Sequence, residues 1–293
     1  MKLTTDKNIL IVGLGLIGGS YAKALTKKGY RVSAITRSAS TIQYALDHGI
    51  IAEGTTEIDE KIIGSADIVV FALYPKILLQ WLEQHQHLLK PGAVLTDVTG
   101  VKCCVVYDIE HMLRPDVEFI AAHPMAGREV YGIENSDETI FQNANYIVTP
   151  TENSTEEAIV LCEQLGWELG FARVSRLSPE MHDDMIGFLS QLTHCIAIAL
   201  MNCNDTPGME AYTGDSFRDL TRIARINDQM WSELFMCNRQ RLLQHMEAFS
   251  QSFSALREML EAGDVDAMRE AMRKSTARRT LFDKKPVNGG TEK

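Results

Sequence analysis

Hydrophobic and polar positions change rhythm once along this 293-residue chain. Up to about residue 175, short apolar runs rich in β-branched residues recur at 9–12, 32–35, 67–73, 93–98, 118–122, 146–149 and 172–174. They are continuous rather than alternating, as strands buried on both faces require. Stretches of helical period separate most of them, at 18–28, 77–89 and 155–165. Strand–helix alternation of this kind predicts an α/β fold with a parallel, doubly wound sheet. After Ser178-Pro179 the strand signals stop. Helices are expected over 180–202, 213–226, 229–262 and 265–276, with Gly263 a natural stop between the last two. The chain thus divides into an α/β domain at 1–176 and an all-helical domain at 177–279. Residues 280–293 are polar, contain Pro286 and two glycines, and are expected to fray. The segment 185–201 has the apolarity of a membrane span. Gln191 and His194 interrupt it and Asp183-Asp184 flank it, so a buried helix is expected and no membrane partner.

The first apolar run ends in glycine. NILIVGLGLIGGS at 8–20 sets Gly13, Gly15 and Gly18 in G-x-G-x-x-G spacing between a strand and a helix. The first glycine permits a tight turn, the second lets the backbone approach a pyrophosphate, and the third lets the helix pack closely on the strand. The helix N-terminus then offers unpaired N–H groups and its positive dipole end. This is the pattern of a Rossmann-type dinucleotide site. Contacts are expected from Gly13, Gly15, Leu16, Ile17 and Gly18, and from Leu73 and Pro75 where the 67–73 strand ends. A carboxylate after the second strand would grip the ribose of NAD. Thr36-Arg37-Ser38 stands there instead, with no acid to repel a 2′-phosphate and a guanidinium to bind one, so the expected cofactor is NADP, with NAD the alternative.

Composition narrows the class. With 45% apolar and 23% charged residues the chain is an ordinary soluble globular protein, and its net charge of −10 argues against a general nucleic-acid or anionic-membrane surface. The cysteines Cys103, Cys104, Cys162, Cys195, Cys203 and Cys237 form no C-x-x-C pair and no zinc spacing, so no metal is expected. Reduced thiols and a first strand that starts without a leader predict a cytoplasmic location.

Three clusters carry chemistry. EFIAAHPMAG at 118–127 runs a strand straight into His123, at a carboxyl end, where doubly wound sheets hold their ligands. A histidine there is a candidate general base. Arg218, Arg222 and Arg225 fall at i, i+4 and i+7, one helical face suited to carboxylates. Asp183, Gly187, Ser190 and His194, at i, i+4, i+7 and i+11, form a small polar line on an apolar helix. His182 reads as a cap-region residue. It stands twelve residues from His194 and points about 120° away, so the two are no metal pair.

Together, in order, GLGLIGGS (13–20), DVTGVK (97–102), HPMAG (123–127), HDDMIGFLSQLTH (182–194) and SFRDLTRIA (216–224) resemble the prephenate/arogenate dehydrogenase family of tyrosine biosynthesis, over about residues 8–250. The resemblance implies an oxidoreductase in which a nicotinamide cofactor takes hydride from C4 of a cyclohexadienol, whose ring then loses carbon dioxide and becomes aromatic. It implies that His123 is the base, that Arg222 binds a substrate carboxylate and is oriented by Asp183, and that His194 approaches the ring. It further implies an intertwined homodimer, with Arg218 and Trp231 reaching toward the neighbour's site and apolar faces at Leu242-Leu243, Phe249, Phe253 and Leu256. Two departures stand out. Gly100 replaces a common serine, leaving Thr99 or a water as its substitute, and Gln191 and Thr193 replace the second and fourth positions of an SHLPH pattern. Arogenate carries an ammonium where prephenate has a keto group; Glu129 is a candidate partner for it, and the choice of substrate stays open. A β-hydroxy-acid dehydrogenase of the same two-domain plan would use a lysine in the helical half, yet none lies between Lys102 and Lys274. A non-catalytic NADP sensor would not need His123 together with Arg222.

Overall fold

The computed structural model describes residues 2–128 and 130–283. The alternation expected up to residue 176 is realised as β1 (Asn8–Val12), α1 (Leu16–Lys27), β2 (Arg31–Ile35), α2 (Ala39–Asp47), β3 (Glu53–Thr55), α3 (Glu60–Ser65), β4 (Ile68–Phe71), α4 (Pro75–His85), β5 (Val94–Asp97), α5 (Cys103–Met112), β6 (Glu118–Phe119), β7 (Ala121–Pro124), β8 (Asn145–Thr149), α6 (Glu156–Glu168) and β9 (Arg173–Arg176). Six strands form a parallel sheet in the order β3-β2-β1-β4-β5-β6, the doubly wound order, which reverses between β1 and β4. The short β3 had no apolar run to announce it. The run at 118–122 is not one strand. It breaks at Ile120, and β7 opens a second sheet, β7-β8-β9, in which β7 is antiparallel to β8 and β8 parallel to β9.

Two-sided burial explains the apolar runs. Ile9 and Ile11 of β1 face a core shared with Tyr21 and Leu25 of α1 and Leu161 and Leu165 of α6. Leu10 and Val12 face a second core, with Leu78 of α4 and Val105 and Ile109 of α5. At the corner after β1, Gly13 has φ +99° and a Cβ there would lie 2.4 Å from the Ala72 carbonyl oxygen. A Cβ on Gly18 would lie 2.0 Å from the Gly13 carbonyl oxygen. Neither position admits a side chain, so this turn can only be built from glycine.

The helical half departs from its sequence pattern in three places. The helix over 180–202 runs as α7 (Pro179–Ile186), a π-helical turn at Gly187–Leu192, and α8 (Thr193–Asn202). The wider turn breaks the 3.6-residue period, so Asp183, Gly187, Ser190 and His194 do not share one face. This helix is also less covered than expected within one chain, with Phe188 and Leu189 about half exposed. The stretch 213–226 becomes α9 (Asp215–Thr221) followed by a 3₁₀ turn at Arg222–Ala224, with Arg225 extended, so the three arginines do not form a continuous helical stripe. The stretch 229–262 breaks at Asn238 into α10 (Asp228–Cys237) and α11 (Arg239–Glu261). The buried Asn238 Nδ2 donates to the Asp183 carbonyl at 2.7 Å and to Gln191 Oε1 at 2.8 Å, tying that break to the π turn.

Strands give way to helices after β9, but compactness divides the chain elsewhere. One unit runs through Leu242 and a second begins at Leu243. The second holds the rest of α11 and α12 (Val265–Arg279), joined through Gly263 at φ +67° and an Asp264 carboxylate that accepts the Ala267 N–H at 2.9 Å. Of the expected tail, Thr280–Phe282 form a further 3₁₀ turn and 284–293 lie outside the described residues.

Candidate active site

A cavity of about 490 Å³ opens at the carboxyl ends of β1, β4 and β5, beside the point where strand order reverses. Gly15, Leu16, Ile17 and Gly18 line it, as do Leu73, Pro75, Thr99, Gly100 and His123. The helical half contributes Ile186, Ser190, Gln191, Met230, Trp231 and Leu234. Gly13 supports the turn from behind. A Cβ on Gly15 would meet nothing within 4 Å, and α1 starts there with no side-chain cap. Bare backbone N–H groups facing open space are what a pyrophosphate needs, so these residues fit a dinucleotide. Among the described residues lining the cavity, Arg128 brings a guanidinium, paired with Asp137 at 3.0 Å, and no carboxylate side chain is present.

His123 is held from behind. Its Nδ1 lies 2.8 Å from His182 Nε2, and His182 Nδ1 lies 2.8 Å from Asp183 Oδ1. His182 and Asp183 are fully buried. The Asp183 carboxylate also accepts the backbone N–H groups of Lys102 and Cys103, both at 2.8 Å, at the start of α5. Anions are favoured at such a helix end. Lys102 is itself fully buried. Its Nζ donates to both Asp97 oxygens, at 2.9 and 2.8 Å, and to the Ala122 carbonyl.

These contacts set the proton affinities. Burial, the neighbouring His182 and the Lys102 charge drive the His123 pKa well below the ordinary histidine value of 6.5. Burial also lowers that of His182; the bond to Asp183 opposes it and Lys102 reinforces it. Burial pushes Asp183 up, but the bonds from His182 and the Cys103 N–H outweigh it and hold the carboxyl below its usual value. His123 is thereby neutral near pH 7 and able to accept a proton.

The remaining expected residues lie as follows. Asp183 does not pair with Arg222. Its oxygens are taken by α5 and His182, behind the base rather than across the cavity. Arg222 is exposed on its 3₁₀ turn and outside the cavity lining. Arg218 is exposed and bonds Asp215 and the Thr213 carbonyl. Thr99 lines the cavity, and its hydroxyl is engaged by the Asp97 carboxylate and the Val101 carbonyl. His194 lies outside the lining and stacks on Trp231, ring centroids 3.7 Å apart. Thr36, exposed Arg37 and Ser38 follow β2, next to the glycine turn but outside the cavity lining; Ser38 accepts the Thr41 N–H and caps α2. Glu129 lies outside the described residues. Sequence reasoning missed His182, Asp97 and Lys102 as parts of the site. The available signal was charge: Asp97 ends a buried strand, and Lys102 is the one charged residue between Asp97 and Asp108.

Residues 21–174 match the family described as prephenate dehydrogenase, nucleotide-binding domain, and residues 178–274 match the family described as prephenate dehydrogenase, dimerization domain. The prephenate dehydrogenase of Bacillus subtilis is 28% identical over 267 residues, covering 88% of this chain and 71% of its own. Among solved structures, prephenate dehydrogenase from A. aeolicus in complex with hydroxyphenyl propionate and NAD+ is similar with a TM-score of 0.88 at 30% identity, covering 97% of this chain and 100% of its own. Synechocystis arogenate dehydrogenase is similar with a TM-score of 0.81 at 25% identity, covering 94% and 100%.

The two lowered histidines make stability depend on pH with a definite sign. Between their folded values and 6.5 the unfolded chain binds more protons than the folded one, so their stabilisation is complete above about pH 6.5 and is lost as pH falls through their depressed values. Urea midpoints are expected to drop between pH 7.5 and 5, and to drop less in His182→Gln. A midpoint independent of pH over that range would contradict the assignment.

Proposed function

The chain belongs to the prephenate dehydrogenase family, and from that premise we propose that it oxidatively decarboxylates prephenate or arogenate, as a cytoplasmic homodimer that prefers NADP. The observation that carries the reading is that His123 and the glycine turn line one cavity. Bound there, the nicotinamide cofactor supplies the hydride acceptor. The backbone of Gly15 to Gly18 holds its pyrophosphate, with Leu73 and Pro75 alongside. Arg37, between Thr36 and Ser38, meets the 2′-phosphate.

His123 takes the proton of the ring hydroxyl, and the electron pair left on that oxygen forms the carbonyl as hydride leaves the same carbon. Loss of carbon dioxide then makes the ring aromatic and the reaction irreversible. The residues Ile186, Met230, Trp231 and Leu234 form the apolar wall that orients the ring and keeps water from it. His194 supports this wall through Trp231. Arg222 binds a substrate carboxylate, and Arg218 reaches the neighbouring site in the dimer. The uncovered apolar residues of the Pro179–Asn202 helix and the match to a dimerization domain support the homodimer. Turnover with prephenate and with arogenate, each with both cofactors, tests the reading and separates it from a cofactor-binding sensor.

His123→Asn is expected to lower kcat by roughly 10²–10⁴-fold, the usual share of a general base, with little change in KM. A kcat near wild type would remove His123 from the reaction. Arg222→Gln is expected to cost about 2–5 kcal/mol in substrate binding, read as a raised substrate KM at unchanged cofactor KM. An unchanged substrate KM would return Arg222 to being a surface charge. Arg37→Ala should lower kcat/KM for NADP and leave that for NAD in place. Equal losses with both cofactors, or a wild type that already prefers NAD, would show that this loop does not read the phosphate.

A further inference from the structure

The contacts behind His123 admit one arrangement of protons. The Asp183 carboxylate accepts N–H groups from Lys102 and Cys103, and its third bond, at 2.8 Å, is to His182 Nδ1. A carboxylate only accepts, so His182 Nδ1 carries the proton. A neutral imidazole has one N–H, so His182 Nε2 is then an acceptor. The partner of Nε2 is His123 Nδ1, at 2.8 Å, which must therefore donate. That leaves the lone pair of His123 on Nε2. The Nδ1 edge is closed by fully buried His182, while His123 lines the cavity with its Cε1 3.9 Å from where a Cβ on Gly100 would stand.

We propose that His182, anchored by Asp183, is the positioning residue that fixes His123 in its Nδ1–H tautomer, so that Nε2 faces the substrate hydroxyl as a bare base. The proposal rests on the reading of His123 as base and extends it. Without His182 the His123 ring is free to take the other tautomer, in which Nε2 carries the proton and cannot accept another. The charged groups facing His182 act in opposite senses: Asp183 and Asp97 favour protons on it, and Lys102 opposes them. Asp183, on its own helix, holds the Nδ1 proton. Lys102, reaching from the start of α5 to Asp97 at the end of β5, disfavours a second proton on either imidazole. Were His182 doubly protonated, its Nε2–H would donate to His123 Nδ1 and force the unproductive tautomer.

The test has a readout that does not depend on turnover. Long-range ¹⁵N–¹H NMR of the intact protein, labelled at histidine and assigned against His123→Asn, should show His123 protonated at Nδ1. Protonation at Nε2 in the wild type overturns the proposal. Two variants follow. His182→Leu keeps bulk but offers no acceptor, and is expected to lower kcat at least about tenfold with KM unchanged, while moving the His123 proton to Nε2. His182→Gln, whose amide oxygen can stand near the position of Nε2, should restore the Nδ1–H form and bring kcat to within about threefold of wild type. His182→Leu turning over at the wild-type rate while His123→Asn is crippled defeats this proposal alone. If His123→Asn is itself fully active, the reading of His123 as base fails instead. Should His182→Leu not fold, the wild-type tautomer and the His182→Gln rate still decide.

Discussion

The buried ion pair of Lys102 with Asp97 is the interaction on which the rest of the site depends. The six-stranded sheet ends at β6 and the second sheet begins at β7, and the backbone bond from the Ile120 N–H to the Leu95 carbonyl is the last that ties this segment to β5 by its main chain alone. The pair closes that seam. Asp97 Oδ1 accepts the Ala122 N–H at 3.0 Å and Lys102 Nζ at 2.9 Å, while Lys102 Nζ also donates to the Ala122 carbonyl. His123 is the next residue. Removing one partner of a buried pair leaves an uncompensated charge, at a typical cost of about 3–5 kcal/mol. Here it would also loosen the strand that carries the base, which β8 holds on its other side.

The same lysine works twice. Its side chain secures β7, and its backbone N–H at the start of α5 binds Asp183, which anchors His182. Position and electrostatics thus come from one source. The base is held by a carboxylate that touches it only through another ring, and burial keeps it neutral, with His182 and the Lys102 charge adding to the effect. A carboxylate in direct contact would raise the affinity of His123 for its proton and spoil it as an acceptor.

The helical half meets this frame through a distortion. The π turn at Gly187–Leu192 sends Ser190 and Gln191 to the cavity and leaves Asp183 behind it. Gln191 then donates to the Leu234 carbonyl at 2.8 Å and accepts from Asn238, so α7, α10 and the start of α11 are locked around one buried amide. Such turns recur at functional sites because an extra residue re-aims side chains without ending the helix.

Much of the fold was legible in the sequence because its causes are local. Short β-branched apolar runs alternating with helical stretches fit strands covered on both faces, and G-x-G-x-x-G spacing between strand and helix fits a tight corner, so the doubly wound sheet, the glycine turn and the switch to helices could be read directly. Family motifs marked His123 for the same reason, since it ends a strand. What the sequence could not convey was partnership. Asp183 and Arg222 looked like a pair on facing helices, and His182 looked like a cap. The arginine stripe assumed an unbroken helix, and the polar line from Asp183 to His194 assumed a regular one. Only tertiary packing decided that α5 would present its N-terminus to Asp183, that a wide turn would interrupt the period, and that His182 would stand between acid and base. Those outcomes follow from hydrogen bonds between groups some 20 to 80 residues apart, as between Ala122 and Lys102 or Lys102 and Asp183, and no local pattern records them.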